Sequence, residues 1–404
     1  MQATSLSYVD TVYSADSIEF CPWEGYQDLF VCGTYQIIKP EDDTLTPPST
    51  ALEAGSNGDG TKEVSHSDSD SDPEEAAGPS GPTQRVGRIL LFQVGDDGRS
   101  FQELQRIETP AILDTKWSPR LEDGRPSLGV ADAKGHITIY LLNTETKRLE
   151  EKQSVEVHDD TTVCLSLDYS HRLHPSTRPS IVTSLSTGSL AHLIPTAAGY
   201  EISSTWHAHE YEPWITTFDL WDTNAVWSGG DDCKLKRWDL RETSRPTLVN
   251  KNFEAGVTTI TPSPHTPHLL AVGSYDESLR IFDSRSPLRP LTTIPLGGGI
   301  WRTRFHPSPQ RGGDVLNACM HDGFKIVRLD PSLTGLVDQG QKVGMEEEEE
   351  DGGGGDGRVV KVFKGHESLA YGADWCRLPL PPDGKESLVA SCSFYDHAMH
   401  VWRG

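Results

Sequence analysis

The sequence predicts an all-β chain folded as a seven-bladed β-propeller, and three observations carry that expectation. Short alternating apolar runs, bounded by Gly, Asn, Asp and Ser, recur along the chain as strand-and-turn patterning. One segment repeats at a spacing of 44 to 46 residues, close to the period of WD repeats. The last copy ends at Trp402 with three strands only. The N-terminal run 5–12 is therefore expected to supply the fourth and remove an exposed sheet edge.

The repeat is clearest in WSGGDDCKLKRWDLR (227–241), AVGSYDESLRIFDSR (271–285) and VASCSFYDHAMHVWRG (389–404). Each has a small-residue strand, a turn carrying Asp, an alternating strand, and an aromatic six positions after that Asp. The pairs are Asp232/Trp238, Asp276/Phe282 and Asp396/Trp402. A fourth copy, NACMHDGFKIVRLD (317–330), places Asp322 in register with Arg328 at the aromatic position. GVADAKGHITIYLL (129–142) and SIVTSLSTGSLAHLI (180–194) keep the strands without the signature. LFVCGTYQI and VGRILLFQV read as one blade interrupted by an insertion. Runs such as DTKWSP, TTFDLW, RTRFHP and GADWC open the blades, and the count comes to seven.

The chain carries 36 Lys and Arg against 60 Asp and Glu, a net charge of −24. Residues 41–85 hold 11 acids and 2 bases, and residues 341–358 hold 7 acids and 2 bases, so 14 of the 24 negative charges sit in two segments. These insertions, 39–85 in the first blade and 331–358 before the last, are poor in apolar residues and are expected to be disordered loops on a single propeller spanning 1–404. The acidic balance argues against a nucleic-acid surface, which needs cations to neutralise phosphates. No apolar run approaches the roughly 18 residues of a membrane span, and residues 1–20 lack the basic start and apolar core of a secretory signal. A cytoplasmic protein that contacts no membrane is expected. The seven cysteines lie mostly in apolar strands and read as reduced core residues. No spacing suggests a metal site, and no motif suggests a cofactor.

Several prominent polar residues have structural work in such a fold. A His ahead of each blade's first strand bonds the turn Asp, and the network continues through a strand Ser to the Trp. His209 with Asp232 and Trp238, and His366 with Asp396 and Trp402, fit those places, and Asp276 holds the same turn position. Buried groups of this kind must be hydrogen-bonded. His306, in FHPSP, also reads as structural.

One pattern is not required by the repeat. WITTF, WRTRF and YGADW put Trp214, Trp301 and Tyr371 in one register, at blade positions that face a common axis near the central mouth. The residues just before the turn Asp, namely Asp231, Tyr275, His321 and Tyr395, would ring the same mouth, with Arg302 beside Trp301. Core packing explains the aromatics equally well, but aromatics combined with acids favour a methylated ammonium.

The segments HEYEPWITTFDLW, WSGGDDCKLKRWD, VGSYDESLRIFDSR, GGGIWRTRFHP, ACMHDGFKI, LAYGADW and CSFYDHAMHVW resemble the diphthamide-biosynthesis WD-repeat family, the diphthine methyl ester hydrolases. The resemblance is dense over 207–330 and 365–403, thinner over 1–38 and 86–200, and missing from the insertions. It implies hydrolysis of the methyl ester of methylated diphthine on translation elongation factor two, releasing methanol and leaving diphthine for amidation to diphthamide. It also implies the elongation factor and other diphthamide-pathway proteins as partners. The substrate side chain carries a trimethylammonium group, for which Trp214, Trp301 and Tyr371 would form a cage.

The resemblance brings no catalytic set with it. Ester hydrolysis needs an activated water and a group to stabilise the oxyanion. Among the mouth residues His321 is the candidate base, Arg302 the candidate oxyanion stabiliser, and Asp231 or Asp374 the group that orients the histidine. A cap on the turn at Asp322 is the alternative reading of His321. Two other readings stay open. A non-enzymatic scaffold would bind the elongation factor or the amidation machinery, and the WDLR (238–241) and FDSR (282–285) turns permit a ubiquitin-ligase receptor.

Overall fold

A computed structural model describes residues 1–39, 83–174, 177–335, 357–381 and 384–404. The chain divides into two compact units, Met1–Gln36 with Val86–Gly404, and Ile37–Arg85. The first unit is built on seven antiparallel four-stranded sheets. Six follow chain order, and the seventh adds Ser5–Asp10 to the outer side of Ala398–Arg403, with Ser5 opposite Trp402 and Asp10 opposite Ala398. The propeller is thus closed by its N-terminal strand, leaving no blade with an open edge at the seam.

The inner strands of blades one to seven are Ser14–Phe20, Ile112–Trp117, Cys164–Tyr169, Ile215–Phe218, Val257–Pro262, Arg302–Phe305 and Ala370–Trp375. Each packs against the next, and the seventh against the first. They are buried almost throughout, whereas outer strands such as Arg148–Glu156 alternate with solvent. A strand enclosed on both faces gains nothing from polar alternation, but one at the rim does. Between blades the core is apolar: Phe30 and Phe92 of blade one meet Met399 and Val401 of blade seven. Trp402 stacks on Phe363 with ring centroids 4.9 Å apart.

The WD signature folds as expected in the fourth blade. His209 Nδ1 lies 2.8 Å from Asp232, its Nε2 2.7 Å from Ser228 Oγ, and Trp238 Nε1 donates to the same hydroxyl at 2.9 Å. Elsewhere it is modified. In the seventh blade His366 does not meet Asp396 directly. Ser393 stands between them, bonded to both, while Ser391 joins His366 to Trp402. In the fifth, Phe253 occupies the histidine's side, so Asp276 pairs with Arg280 instead, and the guanidinium also lies 4.9 Å from the Phe253 ring centroid. In the sixth, Arg328 replaces the aromatic and binds Asp314, and Asp322 is held by Lys325 and Lys364. His306 is buried, donates from one ring nitrogen to Ser387 and accepts from Ser308 N.

The acidic insertions are narrower than the sequence suggests. Pro331–Thr334 forms one helical turn capped by Asp330, and residues 357–358 begin an outer strand paired with Phe324–Leu329. Residues 84–85 belong to the strand Gln84–Val94. The remaining stretches, 40–82 and 336–356, lie outside the described residues. All seven cysteines are free, six of them buried.

Candidate functional site

The inner strands begin at one face of the propeller, and there the aromatic residues collect. Trp214, Tyr275 and Trp301 form a triangle with centroids 6.5, 5.6 and 6.1 Å apart. The rings are tilted and each is half-buried. A cation above this triangle reaches all three centroids within about 6 Å, the range of cation–π attraction. Asp231 stands on the rim and accepts the Trp214 indole N–H at 3.3 Å. The adjoining loops come close because two glycines flank Tyr275. A Cβ on Gly256 would lie 2.5 Å from Asp231 Oδ1, and one on Gly299 2.8 Å from Met320 Sδ.

Tyr371 extends this surface differently from the expected cage. It stacks face-on against Trp301 at 4.8 Å and 23°, which fills the gap a cation between those two rings would need. From Tyr371 the rings continue through Phe394 to the exposed Tyr395, each step 5.0 Å. Tyr395 therefore belongs to the outer end of the arc.

Beneath Trp301 lies a buried carboxyl that sequence reading passes over, Asp16 in the first inner strand. Burial pushes it up to about 7, against the opposing pull of the Arg302 guanidinium and the Trp301 indole. Neither Asp16 Oδ1 nor Trp301 Nε1 makes a hydrogen bond of ordinary geometry. The only signal for Asp16 was an acid in SADSIEF, at a strand position where an apolar residue is usual.

The three groups expected to perform catalysis do not converge. His321 is exposed in the turn before Asp322 and makes no hydrogen bond among the described residues. Arg302 is buried and turns down the channel to Asp114, 3.4 Å away. Asp231 is tied to Trp214 rather than to a histidine. Asp374 is neither at the mouth nor near His321. It is fully buried, accepting Phe20 N at 2.9 Å and pairing with Arg377 at 3.2 Å. It lies three residues beyond Tyr371, far enough down its strand to reach the channel wall. The Asp-Arg turns close on themselves, Asp239 with Arg241 and Asp283 with Arg285, both at 2.6 Å. Among the described residues no cluster of His, Cys, Asp or Glu could hold a metal, and no helix is long and apolar enough to cross a membrane.

Residues 246–283 match the WD domain, G-beta repeat model. The chain is 34% identical over 92% of its length to diphthine methyltransferase of Mus musculus, covering 69% of that protein. It is 35% identical over 93% of its length to the Homo sapiens diphthine methyltransferase, covering 75%. The chain belongs to the diphthine methyltransferase family. A diphthine methyltransferase homolog of Dictyostelium discoideum is 31% identical, with 98% of this chain and 97% of that one aligned. A chain in the crystal structure of the mitotic checkpoint complex shares the fold, with a TM-score of 0.55 and 17% identity over 80% of this chain and 84% of that one.

Membership in the diphthine methyltransferase family establishes the WD-repeat, diphthamide-biosynthesis relationship and makes the protein a member of an enzyme family. It corrects the expected reaction. The relatives are named for methyl transfer, not for hydrolysis of a methyl ester, and a non-enzymatic scaffold gains no support from them. The expectation of hydrolysis came from the family resemblance, and the residues of the mouth could not check it. An aromatic surface reports the charge and shape of what it binds, and says nothing about which bond to the methyl group is made or broken.

Proposed function

We propose that the protein is an enzyme of diphthamide biosynthesis that takes the diphthine side chain of translation elongation factor two at the aromatic mouth and acts in a methyl transfer involving it. The observation that carries this reading is the Trp214–Tyr275–Trp301 triangle with Asp231 on its rim. A trimethylammonium cannot donate a conventional hydrogen bond, so its recognition rests on ring faces and a nearby anion. The three rings supply the faces, and Asp231 supplies the anion and fixes the Trp214 indole.

Methyl transfer also requires a donor. A sulfonium donor presents the same kind of onium charge, so these rings suit either partner of the reaction. Trp214, Tyr275 and Trp301 are the residues that would hold such a centre. The chain's own contribution is then to bind and orient the onium group and keep water from one side of it.

The test incubates purified protein and a methyl donor with elongation factor two bearing diphthine, followed by intact mass. Gain of one methyl group over multiple turnovers supports the proposal. An unchanged mass while the two proteins still bind overturns it, as does loss of a methyl group without any donor.

A further inference from the structure

The acids and bases of the central channel are satisfied to different extents. Four of the acids join two blades by accepting a backbone amide of the next: Glu19 from Trp117 at 3.2 Å, Asp114 from Leu167 at 3.1 Å, Asp168 from Phe218 at 2.9 Å and Asp374 from Phe20 at 2.9 Å. The carboxylates are therefore committed to the ring itself. Lys116 and Arg172 also find partners among them, on Asp114 and Asp168.

The other bases fall short. The Arg304 side chain makes no hydrogen bond among the described residues, and its nearest carboxylate oxygens, on Glu19 and Asp374, lie 4.0 Å away. Arg302 reaches Asp114 only at 3.4 Å, without hydrogen-bond geometry. Arg377 gives one nitrogen to Asp374 and leaves its Nε buried with no partner. A guanidinium stays charged and carries five donors, and buried donors left unmet are costly. All three side chains border one cavity of about 150 Å³. Its lining is weighted toward the ends of the inner strands, at Leu220, Pro262 and Phe305, and reaches back to Ile215 and Arg302, but none of the aromatic rings of the mouth borders it. Thr259, buried and without a side-chain hydrogen bond among the described residues, borders it as well. Glu19 and Asp168 share the wall; both Asp168 oxygens are engaged, and the Glu19 oxygen that makes no hydrogen bond is neutralised by the Lys116 ammonium 3.5 Å away.

We propose that this end of the channel is a binding site for a small oxyanion, a carboxylate or a phosphate, held by Arg302, Arg304 and Arg377 with the Thr259 hydroxyl. Planar guanidinium forks match the paired oxygens of such anions, whereas a monatomic ion meets only one donor of each fork. The site is separate from the mouth, and its existence does not depend on the reaction proposed there.

The experiment follows the melting temperature and the calorimetric titration of the full chain with inorganic phosphate and with malonate, against sodium chloride at equal ionic strength. A ligand that binds only the folded protein raises its melting temperature by mass action. Phosphate or malonate is expected to saturate and chloride is not. Saturation by phosphate alone assigns a phosphoryl ligand, and by malonate alone a carboxylate. Arg304→Gln is expected to weaken binding at least about tenfold, the loss of a charge-assisted pair of hydrogen bonds. Thr259→Val, nearly isosteric, weakens it less and decides the matter if Arg304→Gln does not fold. Trp214→Ala leaves anion binding unchanged, which separates this site from the mouth. No saturation by either anion overturns the proposal, as does undiminished binding by a folded Arg304→Gln or, in its place, by Thr259→Val.

Discussion

Asp374 of the seventh blade accepts the backbone N–H of Phe20 in the first at 2.9 Å, so a fully buried carboxylate closes the ring from inside the channel while the N-terminal strand closes it outside. The same device recurs at Glu19, Asp114 and Asp168, each holding the following blade's inner strand. These four channel acids are thus parts of the ring and not reagents.

It follows that Asp374→Ala destabilises without altering recognition. It leaves Arg377 without its carboxylate and the Phe20 amide unpaired, and breaking a buried pair costs about 3–5 kcal/mol. Urea unfolding reads the loss. Onium binding by the fraction that remains folded should be unchanged. A stable Asp374→Ala protein with weakened onium binding would place Asp374 at the mouth after all.

At the mouth, Trp214→Ala removes one face of the triangle and the donor that fixes Asp231. Desolvated cation–π contacts are worth about 2 kcal/mol, so affinity for tetramethylammonium should fall by roughly thirtyfold, with a smaller loss for Trp214→Phe. Tyr371→Ala should cost less, because Tyr371 supports Trp301 from behind. Fluorescence titration of the three variants checks the order, and equal losses at Trp214 and Tyr371 would restore a cage that includes both.

Much of this was legible in the chain. The Asp232/Trp238 pair and its copies fix the blade period, and the missing fourth strand after Trp402 points to the N-terminus. The register of WITTF, WRTRF and YGADW places Trp214, Trp301 and Tyr371 at one mouth. What was not legible depends on side-chain direction. Arg302 follows Trp301 directly, yet successive residues of a strand face opposite ways, and Arg302 turns down the channel toward Asp114. The Ser393 relay between His366 and Asp396 likewise depends on a third side chain that the pairwise signature does not contain. The reaction was beyond reach for a different reason, since Trp214, Tyr275 and Trp301 select a charge and not a bond.

His321 should be dispensable. An imidazole that is exposed and unsupported by any hydrogen bond lacks the fixed geometry that acid–base catalysis needs. Turnover of His321→Ala is expected to stay within about twofold of the parent, a difference below 1 kcal/mol in barrier. A loss of a hundredfold or more would show that substrate binding brings His321 into position.

Acid should weaken the fold well above the carboxylate range. Burial lowers both His306 and His366 from 6.5 to about 3. These rings stay neutral when folded and protonate near 6.5 when unfolded, so their contribution is complete above that pH and is lost as pH falls toward 3. Urea midpoints measured from pH 7.5 to 4.5 should decline by an amount worth a few kcal/mol. His306→Gln should flatten the decline, and a slope unchanged by that substitution would exclude His306 as its source.

Asp16 carries the opposite sign. Its folded value near 7 lies above the ordinary 3.8, so the protonated form is favoured by folding. The benefit is present at low pH and disappears as pH rises through 7. At pH 8 the parent must bury a carboxylate between Trp301 and Arg302 that lacks full hydrogen bonding, whereas Asp16→Asn has no charge to bury. Relative to the parent, Asp16→Asn should therefore gain stability between pH 5 and pH 8, by up to a few kcal/mol. Thermal melts of both proteins at the two pH values measure the difference directly. If the variant instead loses ground at pH 8, the Arg302 guanidinium is the stronger influence, and Asp16 is an ionised partner beneath the mouth.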